Sequence, residues 1–194
     1  MKYLKNFESI NLININVEIF NINDAHQFLY NFSQKNRKYK KIDLKDKIQY
    51  FDYNDFNTWS ASQKYLDTCR FFIAYNEKEI LGICKFAYFG NSETYSISYL
   101  SVNIDFNHMG ISKIILEKVF EYFSNTYPSE TLSLSGYSLD GWKYLRKNIL
   151  ELSNKYKIKI TEKGIEYPGK TGYSDEYWSM VKQSKEEIQK KYNL

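Results

Sequence analysis

The chain has 194 residues and a mass of 23.2 kDa, with 43% hydrophobic and 26% charged residues. That supplies the core of a single domain and excludes wholesale disorder, and no run approaches the ~18 apolar residues of a membrane span. The net charge of +4 comes from 24 lysines against three arginines, Arg37, Arg70 and Arg146. With asparagine, isoleucine and tyrosine also abundant, it reads as the A/T-rich codon accent of a bacterium or its phage. It says little for nucleic acid, because phosphate recognition favours arginine forks.

Two cysteines and two histidines exclude a disulfide framework and offer no metal-ligand set. Lys2, Lys5, Glu8 and Glu18 interrupt the first twenty residues, so no secretory signal is expected there and a reducing cytoplasm is the expected setting.

Ile13, Ile15, Val17 and Ile19 alternate with polar positions and predict a half-buried strand. Asn23 and Asp24 offer a helix cap, and Ala25, Phe28, Leu29 and Phe32 keep helical spacing to about Asn36. Residues 35–47 are basic and read as a connection plus the start of a second helix. Residues 48–68 read as broken helix.

Strands follow over Arg70–Tyr75, Ile80–Phe89 and Thr94–Asn103, with polar turns at Asn76–Glu79 and Gly90–Glu93; this is an antiparallel meander. Ile104–Gly110 is a loop. Ile111, Ile114, Ile115, Val119, Tyr122 and Phe123 then define an amphipathic helix. Thr131–Tyr137 alternates again as a strand, so a strand–helix–strand crossover and a locally parallel pair are expected. Trp142, Leu145, Ile149 and Leu152 form a helical stripe. Lys157–Ile160 and Tyr173–Val181 read as strands, and Ser184–Tyr192 as a polar helix. No repeat or linker divides the chain, so residues 1–194 are expected to form one domain with its core over about 14–182.

The chemistry concentrates in Tyr99–Leu116. A strand ends, a loop crosses, and a helix starts beside Gly110. The first turn of a helix has N–H groups without intrahelical partners and a partial positive charge, which suits a phosphate, and glycine lets a ligand approach the backbone. A phosphate cradle and a plain loop–helix junction both fit this local pattern.

The order of elements resembles that of the GNAT superfamily of acetyl-CoA-dependent N-acyltransferases, from about Val17 to Lys182. The family's pyrophosphate motif, Arg/Gln-x-x-Gly-x-Gly/Ala, falls on Asn107-His-Met-Gly-Ile-Ser112, framed by Leu100-Ser-Val102 before it and Ile114, Ile115 and Leu116 after it. Asp175–Lys182 resembles the closing strand of many members. Asn107 stands for Arg or Gln, Ser112 for the small residue, and His108 where glycine is common.

The resemblance implies an α/β fold with a mixed, mostly antiparallel central sheet flanked by helices and a crossover. It also implies acetyl transfer from acetyl-CoA to a primary amine by direct attack on the thioester. Pantetheine would lie along Leu100, Ser101 and Val102. The pyrophosphate would lie on Asn107, His108, Met109, Gly110, Ile111 and Ser112. Tyr144 would protonate the leaving thiolate, with Tyr137 in reserve. Aligning Gly141 with the family's usual alanine puts Leu145 at the tyrosine position instead, and Tyr144 beside the core stripe reads equally as structural.

For the general base, Thr94–Asn103 contains no acid. Glu93 at its entrance is the candidate, although a glutamate there is more often a turn residue than a base; water with Ser96 or Tyr99 is the other route.

His26, Cys69 and Cys84 read as structural. Lys35–Lys47 could attract an anionic partner such as RNA, whereas Tyr50–Asp55 could hold a cationic amine, so the acceptor is open between a small molecule and a peptide, and a homodimer is left open. A GNAT-like binding or regulatory module without catalysis is the alternative reading.

Overall fold

The structure is a computed structural model. It describes residues 15–35, 48, 62–90, 92–134 and 144–162. The elements are β1 (Asn16–Phe20), α1 (Ile22–Lys35), α2 (Gln63–Thr68), β2 (Arg70–Tyr75), β3 (Ile80–Phe89), β4 (Thr94–Val102), α3 (Ile111–Thr126), β5 (Thr131–Leu134), α4 (Arg146–Tyr156) and β6 (Lys159–Glu162).

Among the described residues the strands form one six-stranded sheet in sequential order. β1 to β4 pair antiparallel, whereas β4–β5 and β5–β6 are parallel. The fold is thus α/β, with a mixed, mostly antiparallel sheet, helices on both faces and a β4–α3–β5 crossover, as the resemblance implies. Each parallel connection carries a helix, because parallel neighbours cannot be joined by a tight turn.

The alternation of β2 and β3 sends side chains into two cores. Phe72, Ala74, Cys84 and Phe86 pack under α3 and α4. Phe71, Ile73, Ile83 and Ala87 pack on the face covered by α1, with Ala25 and Leu29. α3 buries Ile111, Ile115, Leu116, Val119, Phe120 and Phe123, a stripe at helical spacing.

Gly82 lets that helix come close. A Cβ there would lie 2.9 Å from both the Ile115 Cδ1 atom and the Ser101 carbonyl oxygen. Any larger residue in β3 would therefore push α3 outward or distort β4. Cys84 is fully buried, and burial pushes its thiol far up, which suits an inert core thiol. Cys69 is also fully buried.

Several element bounds differ from the sequence reading. The cap of α1 is Asn21, whose Oδ1 accepts from the Asp24 N–H at 2.9 Å, so the helix starts earlier than Asn23. β6 begins at Lys159, because Lys157 closes α4 in the left-handed conformation (φ 56°). The short helix Gln63–Thr68 is the described part of the expected broken helix. Residues 1–14, 36–47, 49–61, 91, 135–143 and 163–194 lie outside the described residues. Tyr137, Trp142, the basic stretch 36–47, Tyr50–Asp55 and both expected C-terminal elements fall there.

Candidate functional site

β4 changes surroundings along its length. Tyr95, Ser96 and Ile97 pair with Leu132, Ser133 and Leu134 of β5. Among the described residues β5 follows β4 no further than Ile97, while β3 follows it to Val102. β4 also carries a bulge against β3. Lys85 opposes Tyr99 and Phe86 opposes Ile97, so Ser98 is the extra residue. A bulge bends its strand and increases the local twist. Beyond it Leu100 and Val102 still pack on the core beneath α3.

The strand ends on Asn103, which is 1% exposed and fully engaged. Its N–H donates to the Leu81 carbonyl and its Nδ2 to the Ile80 carbonyl, both at 2.9 Å. Its Oδ1 accepts from the Asp105 N–H at 3.1 Å. One side chain thus ties β3 to a 3₁₀ turn, Ile104–Phe106.

Asn107 and His108 follow, both exposed, and Met109 half-buries against the core. His108 (φ 66°) and Gly110 (φ 77°) are left-handed. Gly110 is the residue before α3, and no side chain caps that helix. The Lys113 and Ile114 N–H groups both donate to the Gly110 carbonyl. The N–H groups of Ile111 and Ser112 precede the first intrahelical bonds. A Cβ built on Gly110 would meet no heavy atom within 4 Å among the described residues. Positive helix-end potential, adjacent N–H donors and room above a glycine together fit a phosphate group.

Tyr144 stands across this loop. Its ring lies 5.7 Å from the His108 ring at 79°, an edge-on contact, and it is 48% exposed. Leu145, not Tyr144, turns towards the core with Ile149 and Leu152. The structure therefore brings Tyr144, His108 and Gly110 to the carboxyl end of β4, with Leu100–Val102 leading into it. It does not bring Glu93 there. Glu93 is exposed, in the left-handed conformation (φ 51°), at the opposite end of the nine-residue β4. At ~3.3 Å per residue, roughly 30 Å of strand separates it from the loop.

Three features near the site escaped the sequence reading. The first is Asn103, one of many asparagines in the chain and without a distinguishing spacing. The second is Arg146, whose Nε and Nη2 donate to the Glu162 Oε2 at 3.1 and 3.0 Å, joining the start of α4 to the end of β6. Only three arginines exist here, which was a usable signal. The third is Lys85, 8% exposed beside the bulge. Its Nζ lies 5.9 Å from the Tyr65 ring and 6.0 Å from the Phe71 ring. Burial pushes the Tyr65 hydroxyl up and Cys69 adds to this, while Lys85 draws it back. A lysine inside the apolar run Ile80–Phe89 was visible in the sequence.

Among the described residues, no group of three or more His, Cys, Asp or Glu could hold a metal ion, and no helix is long and apolar enough to cross a membrane.

No protein-family model matches the chain. No curated protein matches it either. Among solved structures it is similar to an aminoglycoside acetyltransferase from an uncultured soil metagenomic sample, solved with trehalose: 14% identity, 79% of this chain and 93% of that one, TM-score 0.42. It is similar to the ribosomal-protein-alanine N-acetyltransferase of Brucella melitensis: 15% identity, 82% and 96%, TM-score 0.41. A third is Escherichia coli ElaA: 12% identity, 69% and 84%, TM-score 0.47.

Proposed function

We propose that this protein is a GNAT-type N-acetyltransferase that moves the acetyl group of acetyl-CoA to a primary amine by direct attack on the thioester. The observation that carries the reading is the course of β4. The strand bulges at Ser98, stays paired with β3 to Val102, and leads through a 3₁₀ turn to a left-handed glycine and a helix start. An extended strand followed by a helix start with free N–H donors suits pantetheine followed by a diphosphate. A bacterial, cytoplasmic setting accompanies the reading.

When bound, acetyl-CoA supplies an activated acetyl thioester. The chain's residues do the rest. The backbone of Leu100, Ser101 and Val102 aligns the pantetheine arm, and an N–H of this stretch holds the developing oxyanion. The N–H groups at Gly110, Ile111 and Ser112 take the diphosphate, with Asn107 as a neutral donor. A free alkyl amine has a pKa near ~10.4 and must lose a proton before it attacks. β4 carries no carboxylate, so the proton leaves through water and hydroxyls such as Ser96 or Tyr99. Tyr144 is the donor for the leaving thiolate.

A second reading, a binding module of the same fold without catalysis, draws on the distance of Glu93 from the loop and on the neutral Asn107. Binding of acetyl-CoA without turnover against a broad amine panel would favour it.

The first test is thermal unfolding with and without acetyl-CoA. A ligand at ~100 times its dissociation constant adds about 2.7 kcal/mol. At roughly 2–4 °C per kcal/mol for a domain of this size, the expected rise is about 5–10 °C. No rise at millimolar acetyl-CoA would overturn both readings.

A further inference from the structure

We infer that His108 supplies the positive charge of the cradle, so that this protein takes up a proton at the His108 imidazole when it binds the diphosphate of acetyl-CoA. The inference rests on the acetyltransferase reading above and goes beyond it.

A diphosphate carries negative charge that neutral N–H groups only partly offset. Between Asn103 and Ser112 the ionisable side chains are Asp105 and His108 alone. Asn107, where the motif's cation would be, is neutral. Lys113 follows in the first turn of α3, exposed and beyond the glycine. The imidazole is exposed and sits two residues before Gly110, where the space above the glycine is open. A second segment positions it, through the edge-on ring of Tyr144 at 5.7 Å.

Among the described residues, the ionisable groups beside it are the Tyr144 phenol and, three residues back along its own loop, the Asp105 carboxylate. Cationic imidazole is the form that bonds phosphate with charge assistance. Affinity should then be highest at low pH and fall as the imidazole deprotonates.

The experiment is calorimetric titration of the full chain with acetyl-CoA from about pH 5.5 to about pH 8, using wild type, His108→Asn and His108→Arg. Asparagine tolerates the left-handed conformation, so His108→Asn keeps the loop, and an unchanged unfolding midpoint checks this. The ligand's 3′-phosphate has its own ionisation near ~6, but it is common to all three proteins and cancels in their ratio.

The expected result is that wild type binds roughly tenfold more tightly than His108→Asn at the acid end, and alike at the alkaline end. His108→Arg should stay tight throughout. Paired titrations in two buffers of different ionisation enthalpy should show more proton uptake by wild type than by His108→Asn. A wild-type to His108→Asn ratio that is flat with pH, or equal proton uptake, would overturn the inference and leave the acetyl-CoA reading standing. Absence of binding by all three proteins at every pH would overturn that reading, and the inference with it.

Discussion

The two halves of β4 follow opposite rules within nine residues. The first half is closed on both sides, by β3 and β5. Tyr95 there is 8% exposed and packs its ring 4.2 Å from Tyr127, 5.2 Å from Tyr88 and 5.9 Å from Phe123. The Lys64 ammonium lies 3.5 Å over the Tyr88 ring and adds a cation–π contact. Burial, with Tyr122 alongside, pushes the Tyr127 hydroxyl far up.

The second half begins at the Ser98 bulge, stays paired with β3 and ends in a loop with two left-handed residues and an exposed aromatic pair. Aromatic packing dominates at one end, and the other end leads into the exposed residues Asn107 and His108. The rigid half is the footing from which the loop can be aimed, as sites on rigid elements generally are.

The largest way to break this contrast is Phe86→Ala. Phe86 is fully buried at the closed end, with its ring about the Tyr95, Tyr122, Phe123 and Tyr127 rings. The expected loss is about 3–5 kcal/mol. The midpoint should fall by roughly 6–20 °C. Well below that midpoint, acetyl-CoA affinity per folded molecule should stay near wild type. An affinity loss as large as the stability loss would show that the two halves are one unit.

Gly110→Glu is the converse. It places a β-carbon at φ 77° and a carboxylate where the diphosphate is proposed. Affinity for acetyl-CoA should fall at least about a hundredfold, the scale expected when a charge-assisted hydrogen bond gives way to like-charge repulsion. Stability should fall by only about 1–3 kcal/mol. Unimpaired binding would move the cradle elsewhere.

Tyr144→Phe comes next. Tyr144 is exposed, so its hydroxyl contributes little to packing, and the edge-on contact with His108 survives in phenylalanine. A general acid contributes roughly 10²–10⁴ in rate, so kcat should fall at least about a hundredfold with the unfolding midpoint and acetyl-CoA affinity unchanged. Unchanged kcat would leave Tyr144 as a rim residue beside His108.

The same division governs what was legible in the sequence. The closed half could be read directly. Alternating apolar residues and short polar turns define the β2–β4 meander, and the α3 stripe has one periodic solution that buries it. The open half was legible as a strand–loop–helix junction with Gly110 at its centre, but its geometry was not.

The bulge depends on cross-strand register between Lys85 and Tyr99, which no local pattern encodes. Tyr144 lies one step from the Leu145–Ile149 stripe, where helical phase alone cannot separate core from rim; the packing of Leu145 decides it. Glu93 is close to β4 in sequence, yet the extended strand carries it away from the loop. The Asn21 cap was missed in favour of Asn23 and Asp24 because each can cap a helix and only the backbone bond to Asp24 selects one.

The smallest expected effect falls on the residue that joins the two halves. Asn103→Ala removes one donor and one acceptor from a site that is almost wholly buried. The Ile80 carbonyl and the Asp105 N–H would then be left without those partners, at a cost of about 1–3 kcal/mol. The midpoint should fall by roughly 2–12 °C. Phe86→Ala should leave affinity near wild type, whereas Asn103→Ala should also weaken acetyl-CoA binding per folded molecule. The Asp105 bond sets where the 3₁₀ turn starts, and the turn sets where Asn107 and His108 emerge. A variant that loses stability but binds as wild type would show that Met109 packing and the close approach of α3 at Gly82 hold the loop without Asn103.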